Sequence, residues 1–258
     1  SDFTKEEERS KAMALMGGAI AMSFVISMFV GPVVGGYFGV EILFQITALL
    51  ALLAILIILF KVPKPPVIEH SYNESSSLKS ILKNGELGRM NITMFFHSSL
   101  MTIAFLMIPT VLVHEFAWAK VDLWQIYIPS IVLGFIFMGF AAMMGEAKEK
   151  TKLIFQIAIV LFGLSFLFMA LSSNSTLFII GTVLFFIGFM MIEPLLQSTV
   201  SKIAKIHEKG AALGVFNTFQ FFGVFVGGIV GGAVLQYTSF TNAAYIFAGL
   251  SVVWFIRS

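Results

Sequence analysis

The sequence predicts an all-α membrane protein of eight transmembrane helices, on three observations. Of 258 residues, 58% are apolar and only 12% charged, where a soluble domain carries about 25% charged residues. The mean hydropathy is +0.95. Uncharged blocks of about 20 residues, the length that crosses ~30 Å of hydrocarbon as a helix, recur along almost the whole chain. Only helices and closed barrels satisfy their backbone in lipid, and these blocks lack the alternation of barrel strands.

The first span, residues 12–38, follows a segment carrying Lys5, Arg9 and Lys11. Within it Ser23, Ser27, Gly31 and Gly35 recur every fourth residue, a spacing that lets two helix backbones approach. Residues 42–60 form the second span. Then comes the longest polar stretch, with Pro63, Pro65 and Pro66 followed by Asn73 to Ser77. Such composition cannot bury a core, so 61–88 reads as a linker with a short surface helix near 78–82. The remaining spans are 90–113, 123–144, 153–171, 176–198, 211–237 and 240–256, joined on alternate sides by connections of a few residues. The linker therefore separates 1–60 from a six-helix bundle at 89–258. The chain starts at Ser1 rather than Met and its last span stops at Arg257, so both ends read as clipped. Three Asn-x-Ser/Thr matches begin at Asn73, Asn91 and Asn174; the first two fall on the inner side or within a span, and none carries weight.

Charge gives the orientation, because Lys and Arg near span ends are retained on the cytoplasmic side. Of the 16 basic residues, 15 lie in the N-terminal segment, the linker with Arg89 just after it, the connections around 148–152 and 202–209, and at Arg257. Lys120 alone lies on the other side. Eight spans return both ends to one face, so both termini are expected in the cytoplasm, in a bacterial inner membrane.

Several chemistries have no seat in this sequence. Cysteine is absent, which removes disulfides, thiolate metal sites and cysteine nucleophiles. There is no phosphate-binding loop for ATP, no His-Glu-x-x-His and no Gly-x-Ser-x-Gly. A net charge of +2 is too small to imply nucleic acid. No cofactor, metal or enzyme activity is expected; what remains is movement of a small molecule, coupled to ions or not.

The chain also repeats itself. Ser27 and the glycines 18, 31, 35 and 36 match Gly223 and the glycines 214, 227, 231 and 232 at one offset, with Arg9 matching Lys205. A duplicated bundle has such a signature. The matched helices are the first and the seventh, so if one repeat unit is six helices the first span is the fifth of its half and four more are expected upstream.

At this point the residues resemble a known family. Arg9 to Gly36, with Ser27-x-x-x-Gly31-Pro32-x-x-Gly35-Gly36, is similar to the fifth helix and antiporter motif of the major facilitator superfamily, in particular its drug:proton antiporters; the family has Gly where this chain has Ser27. Gly145 to Lys150 resembles the charged loop between helices eight and nine, and Glu193 to Ser198 with Lys209 to Gly214 the end of helix ten and the start of eleven. The resemblance implies helices five to twelve of a twelve-helix bundle, with the four missing N-terminal helices required for function. It also implies that Ser27, Gly31, Pro32, Gly35 and Gly36 seal a gate.

Glu193 is the only acidic residue well inside a predicted span. A carboxylate there costs about 2.5–3.5 kcal/mol on insertion scales, so it is a candidate proton carrier; the competing reading is a structural or gating role near the interface. In the third span Asn91, Phe95, Ser98 and Thr102 fall on one helical stripe. The resemblance puts this helix on the central cavity, which makes them candidate substrate contacts, against a reading as hydrogen bonds between helices. His97 points about 120° from Asn91 and reads as a packing residue or as a second titrating group. Asn217 and Gln220, near the stripe of Gly227, Gly228 and Gly231, either line the cavity or bond a neighbouring helix. Phe219, Phe221 and Phe222 read as lipid-facing bulk. The expected function is proton-coupled export of a small amphipathic compound. The alternatives are an uptake symporter or facilitator of the same fold, or a non-transporting membrane fragment or assembly partner.

Overall fold

All regular elements in the computed structural model, over the residues it describes (22–23, 26–62, 78–147, 150–205 and 208–257), are helical. Arg9, Gly18, most of the linker and Lys148 fall outside these residues. Six helices are long and apolar enough to span a membrane, and two apolar helices are shorter. The second of the shorter pair is the last expected span; the first, Ile26–Phe38, is the described part of span 12–38.

Gly39 separates the first two helices, α1 (Ile26–Phe38) and α2 (Val40–Lys61). Its φ of 85° lies in the left-handed region that a side chain disfavours. A single residue thus makes the turn. α2 buries none of its residues, although nearly all are apolar, as expected of a helix whose solvent is lipid or other apolar helices. α1, α2 and residues Ala119–Ile128 form one compact unit. Inside it Phe29 meets Trp124 edge-on at 6.0 Å, and a Cβ on Gly36 would lie 2.5 Å from the Val121 side chain.

The second unit holds the rest. The linker helix α3 (Leu78–Lys83) lies where 78–82 is expected. Asn84 then caps α4 (Gly85–His114), accepting hydrogen bonds from Glu86 N at 3.0 Å and Leu87 N at 3.2 Å. α4 thus starts five residues before the apolar block, because the cap rather than hydropathy sets its end. The 3-10 turn Lys120–Asp122 and the start of α5 (Trp124–Ala147) belong to the first unit; α5 continues into the second from Pro129 and is followed by α6 (Thr151–Ala170). Asn174 caps α7 (Ser175–Ile203) through Leu177 N at 3.0 Å, a structural role for a residue that also matches the glycosylation pattern. α8 (Lys209–Tyr237) and α9 (Phe240–Arg257) complete the chain.

Small residues decide which helices touch. A Cβ at Gly181 would lie 2.8 Å from Ser165 O, and one at Gly188 3.0 Å from Ala158 O, so α7 packs backbone to backbone on α6. α8 packs on α4 in the same manner. Around these seams the core is aromatic: Phe162, Phe166, Phe185, Phe186 and Trp254 are completely buried.

Candidate functional site

The α4–α8 seam shows how the site is held. Gly223, Gly227 and Gly231 stand every fourth residue on α8, and added Cβ atoms would meet Phe95 O at 2.5 Å, Ser99 O at 2.5 Å and Ile103 Cγ1 at 2.9 Å. Across this contact Ser99 Oγ donates to Gly223 O at 3.0 Å and to Phe95 O at 2.7 Å. Gly228 has open space around it. The contact stripe is therefore 223, 227 and 231; the sequence grouping of Gly227 with Gly228 and Gly231 is corrected, because the successive steps of four keep one face whereas 228 turns off it.

With α4 fixed against α8, its opposite face meets α7. There His97 Nε2 lies 2.6 Å from Glu193 Oε2. Phe189 stands one turn before Glu193 and stacks parallel on the imidazole, ring centres 5.0 Å apart. One face of α7 thus supplies both the stacking ring and the carboxylate. Phe162 and Trp254 close the box edge-on, at 5.8 and 6.3 Å. His97 is 1% exposed and the Glu193 side chain 37%. The pair therefore joins an inaccessible imidazole to a carboxylate within reach of surrounding solvent. Pro194 follows Glu193 inside α7 and cannot donate to the Met190 carbonyl one turn back.

Four buried polar atoms have no hydrogen-bond partner among the described residues: Asn91 Oδ1, His97 Nδ1, Ser98 Oγ and Trp254 Nε1. Buried polar groups are nearly always satisfied, so these are the atoms that a water or a bound molecule would partner. Asn91 and Ser98 are buried and Phe95 and Thr102 half-buried. Thr102 turns its hydroxyl back onto Ser98 O at 2.9 Å, and Phe95 packs on Phe222 with ring centres 5.6 Å apart. On α8, Asn217 is exposed and Gln220 half-buried; no hydrogen bond joins either to a described residue. Phe221 and Phe222 are 71% and 54% exposed, as lipid-facing bulk would be. On α1, Ser27 Oγ donates to Ser23 O at 2.8 Å, Gly31 has open space and Gly35 meets the Leu43 side chain. Pro32 lies half-buried between them.

The sequence located His97 and Glu193 separately but not as partners. The available signal was the spacing of Phe189 and Glu193, an aromatic and an acid on one helical stripe, with a histidine in another span.

The family model of the Major Facilitator Superfamily matches residues 1–228 and, in a second stretch, 152–257. The chain belongs to the Major Facilitator Superfamily. It is thus an integral, multi-pass membrane protein of a transporter family, not an enzyme. The inner membrane transport protein YajR of Escherichia coli (strain K12) is 30% identical over 264 residues, spanning 98% of this chain and 57% of YajR. Multidrug resistance protein 2 of Bacillus subtilis (strain 168) is 25% identical over 276 residues, spanning 98% of this chain and 66% of that protein. The solved structure of a variant of the nucleoside transporter NupG superposes with a TM-score of 0.67 at 19% identity, over 92% of this chain and 64% of that one; it shares the fold. The chain therefore spans between about half and two thirds of the length of these superfamily relatives.

Proposed function

We propose that this chain is the helix-five-to-twelve portion of a secondary transporter that exports a small amphipathic compound in exchange for protons, with His97 and Glu193 as the coupling pair. The observation that carries this reading is the 2.6 Å contact between a 1% exposed imidazole and a 37% exposed carboxylate. When Glu193 is protonated its hydroxyl donates to the imidazole; when it is ionised the imidazole N–H donates to it. The contact survives both states when the ring proton moves between Nδ1 and Nε2; the pair is then neutral with Glu193 protonated and carries one negative charge with it ionised. A proton entering at Glu193 thus alters the packing of two helices without breaking their link, which biases one of two conformations. The unpartnered atoms of Asn91 and Ser98 supply polar contacts for substrate, and the surrounding phenylalanines suit its apolar part.

Export is favoured over uptake by the similarity of Ser27 to Gly36 to the antiporter motif and by the likeness to Multidrug resistance protein 2 of Bacillus subtilis. The test uses the full-length protein in everted vesicles. Accumulation of substrate driven by an inward-acid gradient is expected, and Glu193→Gln is expected to abolish it while leaving substrate binding within about twofold, because the amide preserves shape but carries no exchangeable charge. Unchanged exchange in that variant ends the coupling role; accumulation only without a gradient ends the export reading. The 258 residues reconstituted alone are expected not to transport, since helices one to four would supply half the cavity.

A further inference from the structure

At the end of the bundle where the basic connectors meet, α4, α6 and α7 enclose a cavity of about 280 Å³. It shares no lining residue with the His97–Glu193 box, although Thr93 stands one turn before His97 on α4, and the proposed transport cycle does not use it. Its lining is specific. Arg89 and Glu86 come from the start of α4, Lys152 and Gln156 from the start of α6, Thr93 from one turn further into α4, and Thr199 from the last turns of α7. Arg89 and Lys152 are exposed at its mouth, whereas Thr93 is 2% exposed at its floor. Neither cation forms an ion pair, and Thr93 makes no hydrogen bond, among the described residues. Glu86 offsets one positive charge, which leaves the lining with a net charge of one.

The start of α6 adds a third positive element. Lys150 occupies its N-cap and no side chain caps the first turn, so the partial positive charge of the helix end is presented at this site. A guanidinium fork, an ammonium, a side-chain amide and hydroxyl donors around one small volume match a group with several negatively charged oxygens in a tetrahedron better than a planar carboxylate. Phe155 and Met90 give the same cavity an apolar wall, suited to a glycerol or hydrocarbon stem. We propose that this cavity is a binding site for a phosphate group, either the phosphodiester of an anionic lipid head group or a soluble phosphate. Basic pockets between transmembrane helices recognise lipid head groups by this chemistry.

The test uses the 258-residue chain in nanodiscs of phosphatidylcholine, titrated with a fluorescent phosphatidylglycerol and, separately, with inorganic phosphate, reading bound fluorescence and the thermal midpoint. Arg89→Gln and Lys152→Gln are each expected to weaken binding about fivefold, Thr93→Val to weaken it less, and Glu86→Gln to strengthen it. Lys205→Gln, on the same face but outside the lining, is expected to leave it unchanged. Loss confined to the phosphatidylglycerol arm assigns the lipid, and loss in the inorganic phosphate arm assigns a soluble ligand. Equal binding by the wild type and the Arg89 and Lys152 variants in both arms overturns the site, as does an equal loss in Lys205→Gln, which would reduce the effect to surface charge. Arg89→Lys guards against misfolding: it should retain the thermal midpoint and part of the binding.

Discussion

A methyl group added at Gly227 would sit 2.5 Å from the Ser99 carbonyl oxygen, closer than any relaxed contact, whereas one added at Gly228 would meet nothing within 4 Å. The neighbour at Gly227 is backbone, which cannot step aside without moving α4. Gly227→Ala is therefore expected to cost about 1–3 kcal/mol of overpacking strain, and Gly228→Ala to be neutral or to stabilise by about 0.5–1 kcal/mol through helix propensity; thermal midpoints in one detergent read both. A similar fall in both variants would break the assignment of the α4–α8 face. The same residues show what was legible in advance. A spacing of four located the small stripe, because helical period and side-chain size are written in the sequence. Which neighbouring glycine belonged to it was not, since that depends on the crossing of two helices. His97 shows the same boundary. Its polarity in an apolar span was visible, but its partner lies 96 residues away, and no local period encodes such a distance. His97→Phe should keep the box of Phe162, Phe189 and Trp254 filled and preserve the thermal midpoint within a few degrees, while removing proton-driven exchange from the full-length protein. Retained exchange would show that Glu193 acts without its imidazole.

Helix ends were the least legible part of each element, for a physical reason. Hydropathy reports the apolar thickness of the bilayer, whereas a helix stops where its backbone groups find other partners. α4 and α7 both run about five residues past their apolar blocks on the side of the basic connectors, and their far more polar ends build the phosphate cavity. The linker helix is tied to the same end. Ser80 Oγ donates to Glu208 Oε1 at 2.7 Å, Glu208 is 8% exposed, and Ile81 is buried to 1%. This hydrogen bond and the buried Ile81 side chain help dock α3 beside the start of α8. Removing the bond with Ser80→Ala is expected to cost about 1 kcal/mol, expressed as local opening rather than global unfolding. Faster tryptic cleavage after Lys83 with an unchanged midpoint is the expected signature. Unchanged cleavage would mean that this hydrogen bond does not hold the helix.

Across the whole molecule, loop charge and helix order assign the same connectors to one face. The sequence assigned the linker, the 148–152 connection and the 202–209 connection to one face from their lysines and arginines alone. In the fold, Arg89 and Lys152 line one cavity with Thr199 and Ile203, and Ser80 meets Glu208. The three connectors therefore converge at one end of the bundle, as an even number of crossings between them requires. Geometry fixes that they share a face; only the charge rule says that the face is cytoplasmic. The absence of cysteine from these 258 residues makes this separable by experiment, since a thiol introduced here is the sole target within them, any cysteine elsewhere in the full-length protein being replaced first. In intact cells producing the full-length protein, a membrane-impermeant maleimide is expected to leave Lys205→Cys unlabelled and to label Lys120→Cys, with both labelled after permeabilisation. Both positions are exposed, so burial cannot mimic protection. The reverse pattern would place the phosphate cavity in the outer leaflet and turn the predicted export into uptake, while leaving every contact in the fold as it stands.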